Sequence, residues 1–99
     1  MAERKPWSEK RAEIMSRPDA RAGYEAARIR FELGEAVRTR REQLGLTQAE
    51  LAQRAGLLQP AVACFEAGGT MPTIPLLERL AKALELRLSV TLEPLREVG

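Results

Sequence analysis

The sequence predicts a mainly α fold with an N-terminal helical extension and one C-terminal β-strand. Apolar residues recur three and four apart over most of the chain, the spacing of helices with one buried face. Capping residues and first-turn prolines mark helix starts, and glycines mark their ends. One segment alone, Leu86 to Leu92, alternates apolar and polar residues with period two. At 99 residues the chain suits one domain with one modest core.

In chain order, Pro6–Met15 reads as a short helix capped by Ser8, with Trp7, Arg11 with Ala12, Ile14 and Met15 near one face. It is too short to be stable alone and needs something to lie on. Ser16-Arg17-Pro18-Asp19 is a second start signal, with a proline in the first turn and an acid near the positive helix end. No breaker separates Tyr24 from Ile29, Phe31, Leu33, Val37 and Leu44, so that helix can continue to Gly45, a good terminator. Arg38, Arg40 and Arg41 crowd its last turns.

Thr47–Gly68 reads as two short helices around a tight turn. Thr47 and Glu50 have the spacing of a capping box, and Gly56 closes the first helix. Pro60 opens the second, whose Val62 and Phe65 share a face. Both a helix-turn-helix and a plain αα-hairpin fit this punctuation. After the loop Gly68–Pro72, Thr73 caps a further helix with Ile74, Leu77, Leu80, Ala81 and Leu84 toward the core. The strand Leu86–Leu92 stops at Pro94.

Composition excludes several functions. Hydrophobic content of 44% with 30% charge is that of a soluble globular protein, and no apolar run is long enough for a membrane span. The charged N-terminus has no apolar core of a secretory signal, so a cytoplasmic location is expected. One cysteine and no histidine exclude an internal disulfide and argue against a metal site. With no phosphate loop and no nucleophile beside a base, no enzyme, catalytic residue or cofactor is expected. Charge is uneven: residues 1–41 hold eleven Lys/Arg against seven Asp/Glu, and residues 42–99 hold five against seven. The basic half thus precedes the two short helices, a modest footprint for a nucleic-acid binder.

The run Leu44-Gly45-Leu46-Thr47-Gln48-Ala49-Glu50-Leu51-Ala52, followed by Gly56, Gln59, Val62, Phe65-Glu66 and Gly68, resembles phage repressor/Cro-type (Xre family) DNA-binding domains. The resemblance covers about Leu33 to Leu84. Trp7-Ser8-Glu9, Arg17-Pro18-Asp19, Tyr24-Glu25-Ala26 and the C-terminal Leu-Arg-Leu-Ser-Val-Thr-Leu are similar to the subset that serves as HigA-type antitoxins. It implies a five-helix, lambda-repressor-like helix-turn-helix domain at 29–85, an N-terminal extension at 1–28, and a strand and tail at 86–99.

The resemblance further implies that the helix from Gln59 to Ala67 reads the major groove, with Gln59, Pro60, Ala63, Cys64 and Ala67 on its exposed face. Thr47 and Gln48 would position phosphate at a helix N-terminus. Thr70 and the Gly68-Gly69 backbone match a loop that flanks the groove, and Arg38 and Arg40 could add charge. Only Gln59 carries a group suited to a base edge. Relatives commonly place Ser, Ser and Arg or Gln where this chain has Pro60, Ala63 and Cys64, a departure that lowers the expected sequence specificity. Arg41 and Glu66 match an ion pair tying the helix-turn-helix to the core.

The implied role is an antitoxin that binds its own operator as a repressor and neutralises a RelE/HigB-like ribonuclease toxin. A stand-alone regulator is the alternative, and an interaction module without DNA binding a third. A homodimer is expected, because Leu86, Leu88, Val90 and Leu92 form an apolar strand that needs a partner from another chain; a sheet edge on the toxin, or the strand packing on the helix that follows Thr73 in its own chain, are the alternatives. Two copies would then present two recognition helices to adjacent half-sites.

Overall fold

The structure, a computed structural model, describes Glu9 and residues 20–95. The helix expected over Pro6–Met15, the setting of Trp7 and the start signal at Ser16–Asp19 lie outside the described residues. Four helices follow: α1 (Ala20–Gln43), α2 (Gln48–Ala55), α3 (Gln59–Glu66) and α4 (Ile74–Ala83). No described helix is long and apolar enough to cross a membrane.

All four helices close in the same way. A residue in the left-handed region follows the last turn, and the next N–H reaches back five residues to a carbonyl. Gly45, Gly56 and Gly68 take that conformation after α1, α2 and α3, with φ of 70°, 70° and 76°. The closing bonds are Leu46 N to Arg41 O, Leu57 N to Ala52 O and Gly69 N to Cys64 O, at 3.0, 2.8 and 3.0 Å. After α4 the position falls to Glu85, at φ 57°, with Leu86 N donating to Ala81 O at 2.8 Å.

The core is built where α2 meets α3 and α4, and α1 lies across α3. Val37, Leu51, Ala52, Ala55, Val62, Phe65, Leu80 and Leu84 fill it, flanked by Leu33, Leu44, Leu57, Leu76 and Leu77. Ile74, expected on the core face, is instead half exposed at the start of α4. Gly34 sets how closely α1 approaches. A Cβ there would meet the carbonyl oxygen of Phe65 and stand 2.8 Å from that of Glu66.

Two parts of the expected fold are corrected. The described residues hold four helices rather than five. The strand expected at Leu86–Leu92 is not formed, and no strand occurs among the described residues. A strand needs a neighbour for its N–H and C=O groups, and every other apolar-periodic segment described is spent on helix. The first residue of the segment is instead drawn into the close of α4. Leu88 is half-buried, whereas Leu86, Val90 and Leu92 are exposed. Pairing of Leu86, Leu88, Val90 and Leu92 with a second copy as a strand is therefore set aside.

Candidate nucleic-acid interface

The turn Gly56–Leu58 is short enough to bring the starts of α2 and α3 together, and a hydrogen-bonded chain crosses between them. Arg41 Nε donates to Glu66 Oε2 at 2.7 Å and Arg41 Nη2 to Glu66 Oε1 at 3.1 Å. Arg41 Nη1 donates to Leu46 O at 2.8 Å. Gln48 Nε2 donates to Glu66 Oε1 at 3.1 Å, and Gln59 Nε2 donates to Gln48 Oε1 at 2.8 Å. Four of the candidate site residues thus form one line from α1 through the end of α3 to the start of α2 and back to the start of α3.

Glu66 is 3% exposed, so its charge is tolerable only because the guanidinium and the Gln48 amide satisfy both oxygens. The bond to Glu66 holds the Arg41 pKa above its ordinary value, against the opposing pull of burial. The consequence for Gln59 is chemical. One N–H is taken by Gln48, which leaves its second N–H and its carbonyl oxygen as a donor–acceptor pair, the pattern that matches an adenine edge.

At the start of α2, Thr47 accepts from Glu50 N at 3.0 Å and Glu50 Oε1 accepts from Thr47 N at 2.9 Å. The N–H groups of Gln48 and Ala49 have no intrahelical acceptor and are the ones open to an anion. On α3, Gln59, Pro60 and Cys64 are exposed and Ala63 is half-buried. Thr70 is exposed, 3.0 Å from Cys64 Sγ through its hydroxyl. Pro60, Ala63 and Cys64 present no amide or guanidinium. Arg38 is not brought to this surface by any contact: its ion pair runs along α1 to Glu42, at 3.6 Å.

Two residues passed over in the sequence, Gly34 and Arg79, and one read there as charge at the end of its own helix, Arg40, position this surface. Gly34 lets α1 reach the last turn of α3. Arg79 Nε donates to Ala55 O at 3.1 Å and Arg79 Nη2 to Gly56 O at 2.8 Å, so α4 holds the end of α2 and its turn. Arg40 Nε donates to Leu84 O at 3.0 Å, binding the end of α4 rather than of its own helix. A glycine inside an otherwise unbroken helix was the available signal for the first, since it costs about 1 kcal/mol relative to alanine. No local pattern marks the other two.

The family model that matches the chain is described as helix-turn-helix and covers residues 37–90. The chain is similar to Antitoxin HigA1 of Mycobacterium tuberculosis, in two strains, at 37% identity over 87 residues. That match takes in 86% of this chain and 58% of the antitoxin, so the chain spans well under two thirds of these curated relatives. A second relative is an uncharacterized HTH-type transcriptional regulator of Methanothermobacter thermautotrophicus, 42% identical over 48 residues, which are 48% of this chain and 70% of the regulator. No solved structure matches the chain.

Proposed function

As this chain belongs to the helix-turn-helix family, we propose that it is a cytoplasmic DNA-binding antitoxin that represses its own operon and neutralises a RelE/HigB-like ribonuclease toxin. The observation that carries the antitoxin part is the extent of the likeness to HigA1. It takes in 86% of the chain, so about thirty matched residues fall outside 37–90. The likeness to the regulator, over 48 residues, is shorter than the helix-turn-helix match itself. A regulator without a toxin is the second reading, favoured by the higher identity of that shorter match.

In this reading α3 enters the major groove, the start of α2 meets phosphate, and Gln59 reads adenine. Gln59→Ala is expected to relax one base position at a cost of about 1–3 kcal/mol. Gln48→Ala should weaken binding to all sequences and, through the lost bond to Gln59, also blunt that preference. A mobility-shift titration of both variants on selected and random duplexes tests this, and equal losses on the two duplexes from Gln59→Ala would count against it. Co-expression with the neighbouring reading frame, followed by mass measurement of the purified complex, tests the toxin. Recovery of the chain without a basic partner of about a hundred residues would favour the regulator.

The homodimer belongs to the same proposal, through side-chain packing of part of the same segment and not through strand pairing. Leu86 and Leu88 line a groove with Glu78, Ala81 and Lys82, and Val90 stands exposed nearby in sequence. Side-chain packing of two such grooves would give two recognition helices. Leu88→Glu should then shift the protein from dimer to monomer in a sizing experiment.

A further inference from the structure

A helix lying in the major groove has a phosphate strand on either side. At 1.5 Å per residue, the eight residues of α3 span about 12 Å, the width of that groove. One strand would therefore run past the start of α2 and the other past the loop Gly68–Thr70. The two sides differ in charge. The whole segment from Ala55 to Glu78 contains no Lys or Arg, and its charged residues are Glu66 and Glu78. Thr70 is the loop's polar side chain, and it is engaged with Cys64. Neutral contacts alone would have to hold that strand unless another element supplies a cation.

The fold brings one there. Gly68 packs on the backbone of α1: a Cβ on it would stand 3.1 Å from the Cα of Phe31 and 3.6 Å from the carbonyl carbon of Arg30. Arg30 also lies in line with Gly34 and Arg41, four and eleven residues on, along the stripe of α1 that meets the last turn of α3. Most other arginines of the described helices are spent. Arg28 pairs with Glu25 and Glu32, Arg38 with Glu42, and Arg41 with Glu66. Arg40 and Arg79 hold carbonyls. The Arg30 side chain makes no hydrogen bond or ion pair among the described residues, although the residue is half-buried.

We infer that Arg30 is the phosphate contact on the loop side of the groove, reaching the DNA strand that α3 and its loop leave without a cation. The inference rests on the DNA-binding reading above. Arg30 is a binding residue for backbone only; it carries no base information.

The test uses the full chain and a mixed-sequence duplex of about 30 base pairs, since phosphate contacts need no operator. Affinity is titrated against salt for wild type, Arg30→Gln, Arg30→Lys and Arg54→Gln. Arg30→Gln is expected to reduce the slope of log K against log salt by about 0.9, which is about an eightfold loss at 0.1 M salt. Arg30→Lys should restore the slope, and Arg54→Gln, at the far end of α2, should leave it unchanged. If circular dichroism shows Arg30→Gln unfolded, Arg30→Met replaces it, keeping the stem without the charge. A wild-type slope in the neutral variant, or an equal loss from Arg54→Gln, overturns the inference while the DNA-binding reading stands. Wild type that shows no salt-dependent binding to the duplex overturns both.

Discussion

The two helices of the helix-turn-helix are each eight residues long, yet they are held in opposite ways. α2 is largely self-sufficient at its start, where Thr47 and Glu50 satisfy each other's backbone N–H groups. α3 follows Leu58, which offers no side-chain cap and is 78% exposed. Its support comes from outside: Arg41 of α1 grips Glu66, Gln48 of α2 grips both Glu66 and Gln59, and α1 closes on its last carbonyls at Gly34. On the proposed DNA-binding reading, the difference teaches where a helix that enters the groove gains its stabilisation. A capping carboxylate at the start of α3 would put negative charge beside the groove, whereas buried ties at its far end leave the exposed face free.

If α3 depends on outside ties, removing one should be costly. Glu66→Ala leaves the Arg41 guanidinium without its counter-charge and the Gln48 amide without its acceptor, and should destabilise by about 3 kcal/mol in denaturant unfolding. Arg41→Ala should cost a similar amount, and the double variant far less than the sum. Additive losses would mean that the pair does not stabilise α3.

The next effect comes from spacing rather than charge. Gly34→Ala places a methyl group against the carbonyls of Phe65 and Glu66 and forces α1 away from α3. About 1–3 kcal/mol should be lost, although alanine is the better helix former. A thermal melt unchanged or raised by this substitution would show that α1 does not press on α3 so closely. Gly23→Ala, in the same helix with no described atom within 4 Å of the added carbon, is the control and should stabilise slightly.

Local breakage of α2 should be milder. Thr47→Ala removes one bond of the capping box and should cost about 1 kcal/mol. A loss as large as that from Glu66→Ala would erase the contrast between the two helices.

The smallest effect is the pH dependence of the same cap. The backbone N–H of Thr47, and secondarily its side chain, hold the Glu50 carboxyl below its ordinary pKa. A depressed folded-state pKa means stability that is present above the ordinary carboxylate range and lost as pH falls through the lowered value. The gap in melting temperature between wild type and Glu50→Ala should therefore be wider at pH 7 than at pH 3. A gap that persists at pH 3 would show that the charge of Glu50 contributes nothing to the cap.

What the sequence determined by itself is what acts within about five residues. The capping box at Thr47, the prolines at the starts of α3 and α4, and the glycines after α1, α2 and α3 are set by interactions along one turn of chain, so spacing reveals them. The alternation in Leu86–Leu92 was equally plain, and it misled, because period two describes a face and not a partner. Only the tertiary structure decided the rest: the closeness of α1 at Gly34, Arg79 on the end of α2, Arg40 on Leu84, and Arg30 beside a loop without cations. The pairing of Arg41 with Glu66, 25 residues apart, was legible through family likeness and not through spacing. Arg79 with Ala55 and Arg40 with Leu84, 24 and 44 residues apart, had no such guide. Partners at that separation meet only because burial of Leu51, Val62, Leu80 and Leu84 brings their helices together, and burial is blind to which polar groups it carries along.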